Sequence, residues 1–94
     1  MNEAGRRVAI VEDDPQIRKF LRISFEAHGF VVFEARDGGA GLDLVATHAP
    51  DVVILDLGLP TMDGREVIRR LREWTDVPIL VLSVRDAEAE KVGA

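Results

Sequence analysis

Four short runs of β-branched and aliphatic residues mark the chain, at positions 8–11, 30–34, 52–55 and 79–82. Those at 8–11, 52–55 and 79–82 are nearly continuous, the pattern of strands covered on both faces. Apolar residues between the runs fall at three- and four-residue spacing. The first such stretch opens on Asp14-Pro15, an N-cap aspartate before a proline at the first helical position. Ile17, Phe20, Leu21, Ser24 and Phe25 then share one side, and Gly29 offers a left-handed stop. The second, Gly38 to His48, carries Leu42, Val45 and Ala46 on one face, although Gly38, Gly39 and Gly41 weaken its start. The third, Arg65 to Trp74, sets Val67, Ile68, Leu71 and Trp74 on one side. Its other side pairs Glu66 with Arg70 and Arg69 with Glu73. A fourth helix begins at Asp86 or Ala87 and runs to Ala94.

Strand and helix in strict alternation predict an α/β domain with a parallel sheet and right-handed crossovers. The carboxyl ends of all strands then share one edge, where ligands bind at the switch point in strand order. The chain shows no repeat, low-complexity tract or interdomain linker.

Composition narrows the function. With 94 residues there is room for one small domain, and 47% hydrophobic against 31% charged residues is a globular balance. A net charge of -5, from 12 basic and 17 acidic residues, disfavours nonspecific binding to nucleic acid or acidic membranes. The absence of cysteine removes disulfides and thiolate metal sites. MNEAGRR leads into only four apolar residues before Glu12, too short for a signal-peptide core or a membrane span. The expectation is a soluble cytoplasmic protein.

The chemistry concentrates where apolar runs turn acidic. The first run reads VAIVEDD and the third VVILD, so a parallel sheet crowds Glu12, Asp13 and Asp56 into one shallow cleft. Like charges at such range repel: either one carboxylate holds a proton or a hard cation sits among them. Magnesium suits the second case, with oxygen ligands, retained waters and room for a phosphoryl oxygen. A plainer reading is that acidic residues favour helix starts, and Asp14 is assigned that role. Ser83 ends PILVLS at the same edge, where its hydroxyl can donate to an anionic oxygen.

VEDD, ILDLGLPTMDG and PILVLS, at these separations, resemble the receiver domain of bacterial two-component response regulators, from about Val8 onward. LDLGLPTMDGREVIRRLREW followed by VPILVLSVRDAEAEKV is most similar to the winged-helix transcription-factor class, the Kdp potassium-transport regulators above all. The resemblance implies a flavodoxin-like (CheY-like) doubly wound α/β fold, a receiver over residues 1–94 with strand order 2-1-3-4 and the fifth strand and helix missing. It implies that Asp56 accepts a phosphoryl group from a phosphohistidine on a sensor histidine kinase. It also implies that Glu12 and Asp13 hold Mg2+, Asp13 directly and Glu12 through water, with Asp56 and the backbone carbonyl of Gly58 as further ligands. Ser83 matches the hydroxyl that follows the phosphoryl group and reorients on activation, and Pro60 matches a residue shaping the loop after the site. The implied product is a switch for transcription regulation, not a turnover enzyme. DNA would be contacted only through a separate effector domain that this sequence does not contain.

The chemistry is consistent with that assignment. Phosphoryl transfer needs an in-line nucleophile and charge neutralisation more than acid–base groups, and a carboxylate nucleophile forms an acyl phosphate. His28 and His48 sit near helix C-termini, where the dipole favours them, away from this edge. Arg65, Arg69 and Arg72 read as a solvated, ion-paired face rather than a DNA contact.

Two departures from the family pattern stand out. Val84 occupies a position where the family commonly has alanine, and the expectation is that its bulk narrows access to Asp56 and slows transfer. The fifth-strand lysine and aromatic switch residue of the family have no counterpart, because Lys91 lies within the start of helix four. A 94-residue chain ending at Ala94 would leave strand four as an exposed edge, predicting homodimers, domain-swapped oligomers or poor stability. Two rival readings remain: a structural or dimerisation module that is not phosphorylated, and a Mg2+-dependent phosphohydrolase. The latter normally has a second carboxylate two residues beyond the nucleophile, where this chain has Gly58.

Overall fold

A computed structural model describes residues 5–59 and 62–82. Seven elements follow in the order β1 (Arg7–Val11), α1 (Pro15–Ala27), β2 (Val31–Ala35), α2 (Gly38–His48), β3 (Val52–Asp56), α3 (Gly64–Arg72) and β4 (Ile79–Leu82). All strand pairs are parallel, and the sheet order is β2-β1-β3-β4, as expected. Pro60, Ser83, Val84, Lys91 and the expected fourth helix lie outside the described residues. No helix among the described residues is long and apolar enough to cross a membrane.

Period-two alternation sorts the strands into two faces. Ala9, Val11, Val53 and Leu55 point toward α2 and α3, where they bury Val45, Val67 and Leu71. Val8, Ile10 and Ile54 point the other way, toward Leu21 and Phe25 of α1 and toward Phe30 and Val32. Helices therefore cover both faces, the doubly wound arrangement. Among the described residues β4 is an edge, and its Leu80 and Val81 are exposed.

Local signals set the helix ends. The Asp14 carboxylate accepts the amides of Gln16 and Ile17, and Pro15 follows. α1 stops where Gly29 takes φ +87° and the Phe30 amide returns to the Phe25 carbonyl at 3.0 Å. α2 starts on Asp37, whose side chain accepts the Ala40 amide. Its glycines permit a close approach: a Cβ on Gly41 would lie 2.9 Å from Val11 Cγ2.

Several expected placements need correction. The second strand runs Val31–Ala35 rather than from Phe30 to Glu34, because Phe30 is held in the turn that ends α1. Phe20 is 68% exposed. It lies roughly 100° around the helix from Leu21, at the flank of the stripe that meets the sheet. Ala46 is exposed beside buried Val45 for the same angular reason. The third helix is Gly64–Arg72, one residue earlier at its start than expected. Trp74, in the turn beyond its Glu73 cap, is exposed rather than packed.

Candidate functional site

Register builds the site. Val11 pairs with Leu55, so Glu12 and Asp56 come next at the same edge, in line with the Val8/Ile10 and Val52/Ile54 rows. Asp13 follows in the turn that enters α1. One carboxylate oxygen from each of Glu12, Asp13 and Asp56 lies within 4.8 Å of the other two. The site thus joins residues 44 positions apart at the crevice between β1 and β3, the switch point of this strand order.

Main-chain amides hold these side chains. The amide of Gly58 donates to Asp56 Oδ1 at 3.0 Å, and that of Asp14 donates to Glu12 Oε2 at 2.9 Å. The Glu12 amide itself extends the β1–β2 ladder to the Ala35 carbonyl at 2.9 Å. Behind Asp56, the Gly64 amide that opens α3 donates to the Leu57 carbonyl at 3.1 Å.

Electrostatics mark the cluster as strained in charge. Glu12 is 3% and Asp56 8% exposed. Burial pushes the Glu12 carboxyl up from 4.5 to about 7, against the lowering effect of the Asp14 amide and reinforced by the charges of Asp56 and Asp13. Without a cation, a proton on Glu12 relieves the repulsion. Three hard oxygen donors converging from two segments also fit a small divalent cation such as Mg2+, which would remove the need for that proton.

Of the sequence-predicted residues, Glu12, Asp13 and Asp56 are brought together and Gly58 sits against Asp56. Ser83 falls outside the described residues. The histidines are elsewhere, as expected. His28 caps α1, and His48 ends α2, where it stacks on Phe33 and its carbonyl accepts from Arg7 at the opposite edge. Sequence reading does not single out Arg18. Its Nη1 donates to the Glu12 carbonyl at 2.8 Å and its Nε pairs with Glu34 Oε1 at 3.1 Å. The available signal was a cation one turn past an N-cap aspartate, which is common on helices that have no site.

Residues 8–94 match the response regulator receiver domain. The KDP operon transcriptional regulatory protein KdpE of Escherichia coli is 53% identical over 87 residues, 93% of this chain and 39% of that protein. The chain therefore spans about two-fifths of the length of this curated relative. Among solved structures, the receiver domain of the Francisella response regulator 1452 superposes with a TM-score of 0.82 at 30% identity, covering 95% of this chain and 74% of that one. A chain of the complex between histidine kinase ThkA and response regulator protein TrrA superposes with a TM-score of 0.78 at 30% identity, covering 84% and 69%. A match through most of its residues, with a relative this similar over the same span, places the chain in the response regulator receiver domain family.

Proposed function

We propose that Asp56 is the phosphoacceptor of a Mg2+-dependent receiver switch, with Glu12, Asp13, Asp56 itself and the Gly58 backbone carbonyl holding the cation. The observation that carries this reading is the convergence of three carboxylates within 4.8 Å at the switch point, two of them buried. Bound Mg2+ would supply charge neutralisation for the incoming phosphoryl oxygens. The chain's own residues do the rest. The Gly58 amide fixes Oδ1 of Asp56 and so orients the carboxylate, leaving Oδ2 to attack phosphorus. An O–P bond forms as the P–N bond of a phosphohistidine breaks, and the imidazole nitrogen keeps the electron pair. Glu12 and Asp13 carry no step beyond holding charge and position.

A sensor histidine kinase is the donor under this reading, a partner class suggested by the kinase complex among the structural relatives. The output would be transcriptional, through a segment outside this sequence, as the name of the KdpE relative suggests. Ser83 keeps its proposed role of following the phosphoryl group. Gly58 stands where a phosphohydrolase would place a second carboxylate, which favours a switch over turnover.

The test is incubation with Mg2+ and acetyl phosphate, followed by mass spectrometry. The expected result is one added phosphoryl group, removed by hydroxylamine and absent from Asp56→Asn. An unmodified wild-type chain, or an adduct that survives in Asp56→Asn, overturns the assignment.

A further inference from the structure

The turn between β1 and α1 must expose two carboxylates in succession toward a third, and their repulsion works to open it. Its ends are secured: the Glu12 amide is in the β-ladder, and the Asp14 side chain caps α1. The carbonyls of Glu12 and Asp13 lie between these anchors, outside both the ladder and the helix. Arg18 reaches back from α1 to both, its Nη1 at 2.8 Å from the Glu12 oxygen and 3.4 Å from that of Asp13. The same guanidinium is tied at Nε to Glu34 on β2, 3.1 Å away, and its side chain is only 20% exposed. Arg22, one turn on, shares the Glu34 carboxylate at 3.0 Å.

We propose that Arg18 is a positioning residue for the cation site: clamped by Glu34, it holds the main chain of Glu12 and Asp13 so that their carboxylates converge on Asp56. The inference rests on the metal-site reading above and adds a residue that this reading does not use. A planar fork with several donors can bond a loop and a strand at once, whereas a lysine ammonium cannot match that geometry. The sign of the effect separates positioning from plain electrostatics. Taking a positive charge away from a cation site strengthens divalent binding if charge alone matters. Loss of an outer support weakens it.

The test compares wild type, Arg18→Ala, Arg18→Lys and Arg22→Ala by calorimetric titration with MgCl2. Amide hydrogen exchange at Asp14 is measured on the same proteins without the ion. Arg22→Ala removes a cation from the same Glu34 pair but leaves the turn alone, so it controls for the ion-pair network. The expected result is about ten-fold weaker Mg2+ binding in Arg18→Ala, faster exchange at Asp14, an intermediate Arg18→Lys and an unchanged Arg22→Ala. Unchanged or tighter binding in Arg18→Ala overturns the proposal, as does an equal loss in Arg22→Ala. If circular dichroism shows Arg18→Ala unfolded, Arg18→Lys decides on the same readouts: weaker binding supports positioning and unchanged binding overturns it. A wild type that binds no Mg2+ sinks the metal reading, and the ion-free exchange comparison then judges the role of Arg18 by itself.

Discussion

Two glutamates in this small domain meet opposite fates. Glu12, buried at the end of β1, has its carboxyl pushed up to about 7 by burial and by the neighbouring charges of Asp56 and Asp13. Glu66, on the surface of α3, is drawn down to about 2 by hydrogen bonds from Arg69 and Arg70. On α3 these charges are answered locally: Arg69 contacts Glu66 at 2.6 Å and Glu73 at 3.1 Å, and Arg70 contacts Glu66 at 2.9 Å. Such neighbours follow from helical spacing alone. The acids around Glu12 are its chain neighbour Asp13 and, through the sheet register, Asp56, an arrangement the rest of the fold has to hold together. Charge that the local sequence neutralises is structural, whereas charge that the fold concentrates is poised for a ligand.

The largest expected effect tests that contrast directly. Asp13→Asn removes one of the three converging carboxylates and should weaken Mg2+ binding by at least about 100-fold, since losing even an outer partner costs up to that much. Glu66→Gln, an equally conservative loss of acid on α3, should leave the calorimetric titration unchanged. Equal effects from the two would erase the distinction between the regions.

The next largest effect lies at the seam between them. Gly64 opens α3 directly behind Asp56, and a Cβ there would lie 2.6 Å from Leu57 Cα and 2.9 Å from the Asp56 carbonyl oxygen. Both are main-chain atoms, so either the helix start or the end of β3 must shift. Gly64→Ala should therefore cost about 2 kcal/mol in urea unfolding and also weaken Mg2+ binding. A variant with wild-type stability would show that the two regions are not packed as tightly as the contact requires.

How much of this was legible in sequence depends on the distance over which each rule acts. The Asp14-Pro15 cap and the Glu66–Arg70 and Arg69–Glu73 pairs are visible because their partners are within four residues. The convergence of Glu12, Asp13 and Asp56 was legible too, because parallel strands must share an edge and both runs turn acidic at their ends. Phe20 and Trp74 were misplaced for a different reason. Spacing identifies an apolar stripe but not the arc of it that the sheet covers, nor the residue at which the helix stops. Gly41 looked like a weak helix position, and only the packing of α2 on Val11 shows why a side chain does not fit there. The role proposed for Arg18, on α1, depends on Glu34, 16 residues away on β2, and no local pattern announces it.

The opposite shifts also predict opposite pH slopes. For Glu12 the folded value lies above the unfolded 4.5, so the folded state keeps a proton that the unfolded chain has lost. Its contribution is complete below 4.5 and declines as pH rises toward about 7. Without divalent ions, the chain should lose on the order of 2 kcal/mol across this window, allowing for partial solvent screening. Urea unfolding at successive pH values measures that loss. Glu12→Gln should flatten the slope, and a slope unchanged in this variant would assign the loss to other groups.

The smallest effect is expected from Glu66, and its sign is reversed. Here the folded value, about 2, lies below the unfolded 4.5, so the contribution is present above 4.5 and is lost as pH falls toward 2. The group is at the surface and its arginine partners are solvated, so the stabilisation is small and screened by salt. Glu66→Gln should leave neutral-pH unfolding nearly unaltered and make the acid limb slightly shallower, with the difference vanishing in high salt. If the acid limb of Glu66→Gln instead matched wild type at low ionic strength, the bonds to Arg69 and Arg70 would hold geometry without contributing free energy. The α3 face would then differ from the acidic cluster even more than the two pKa values indicate.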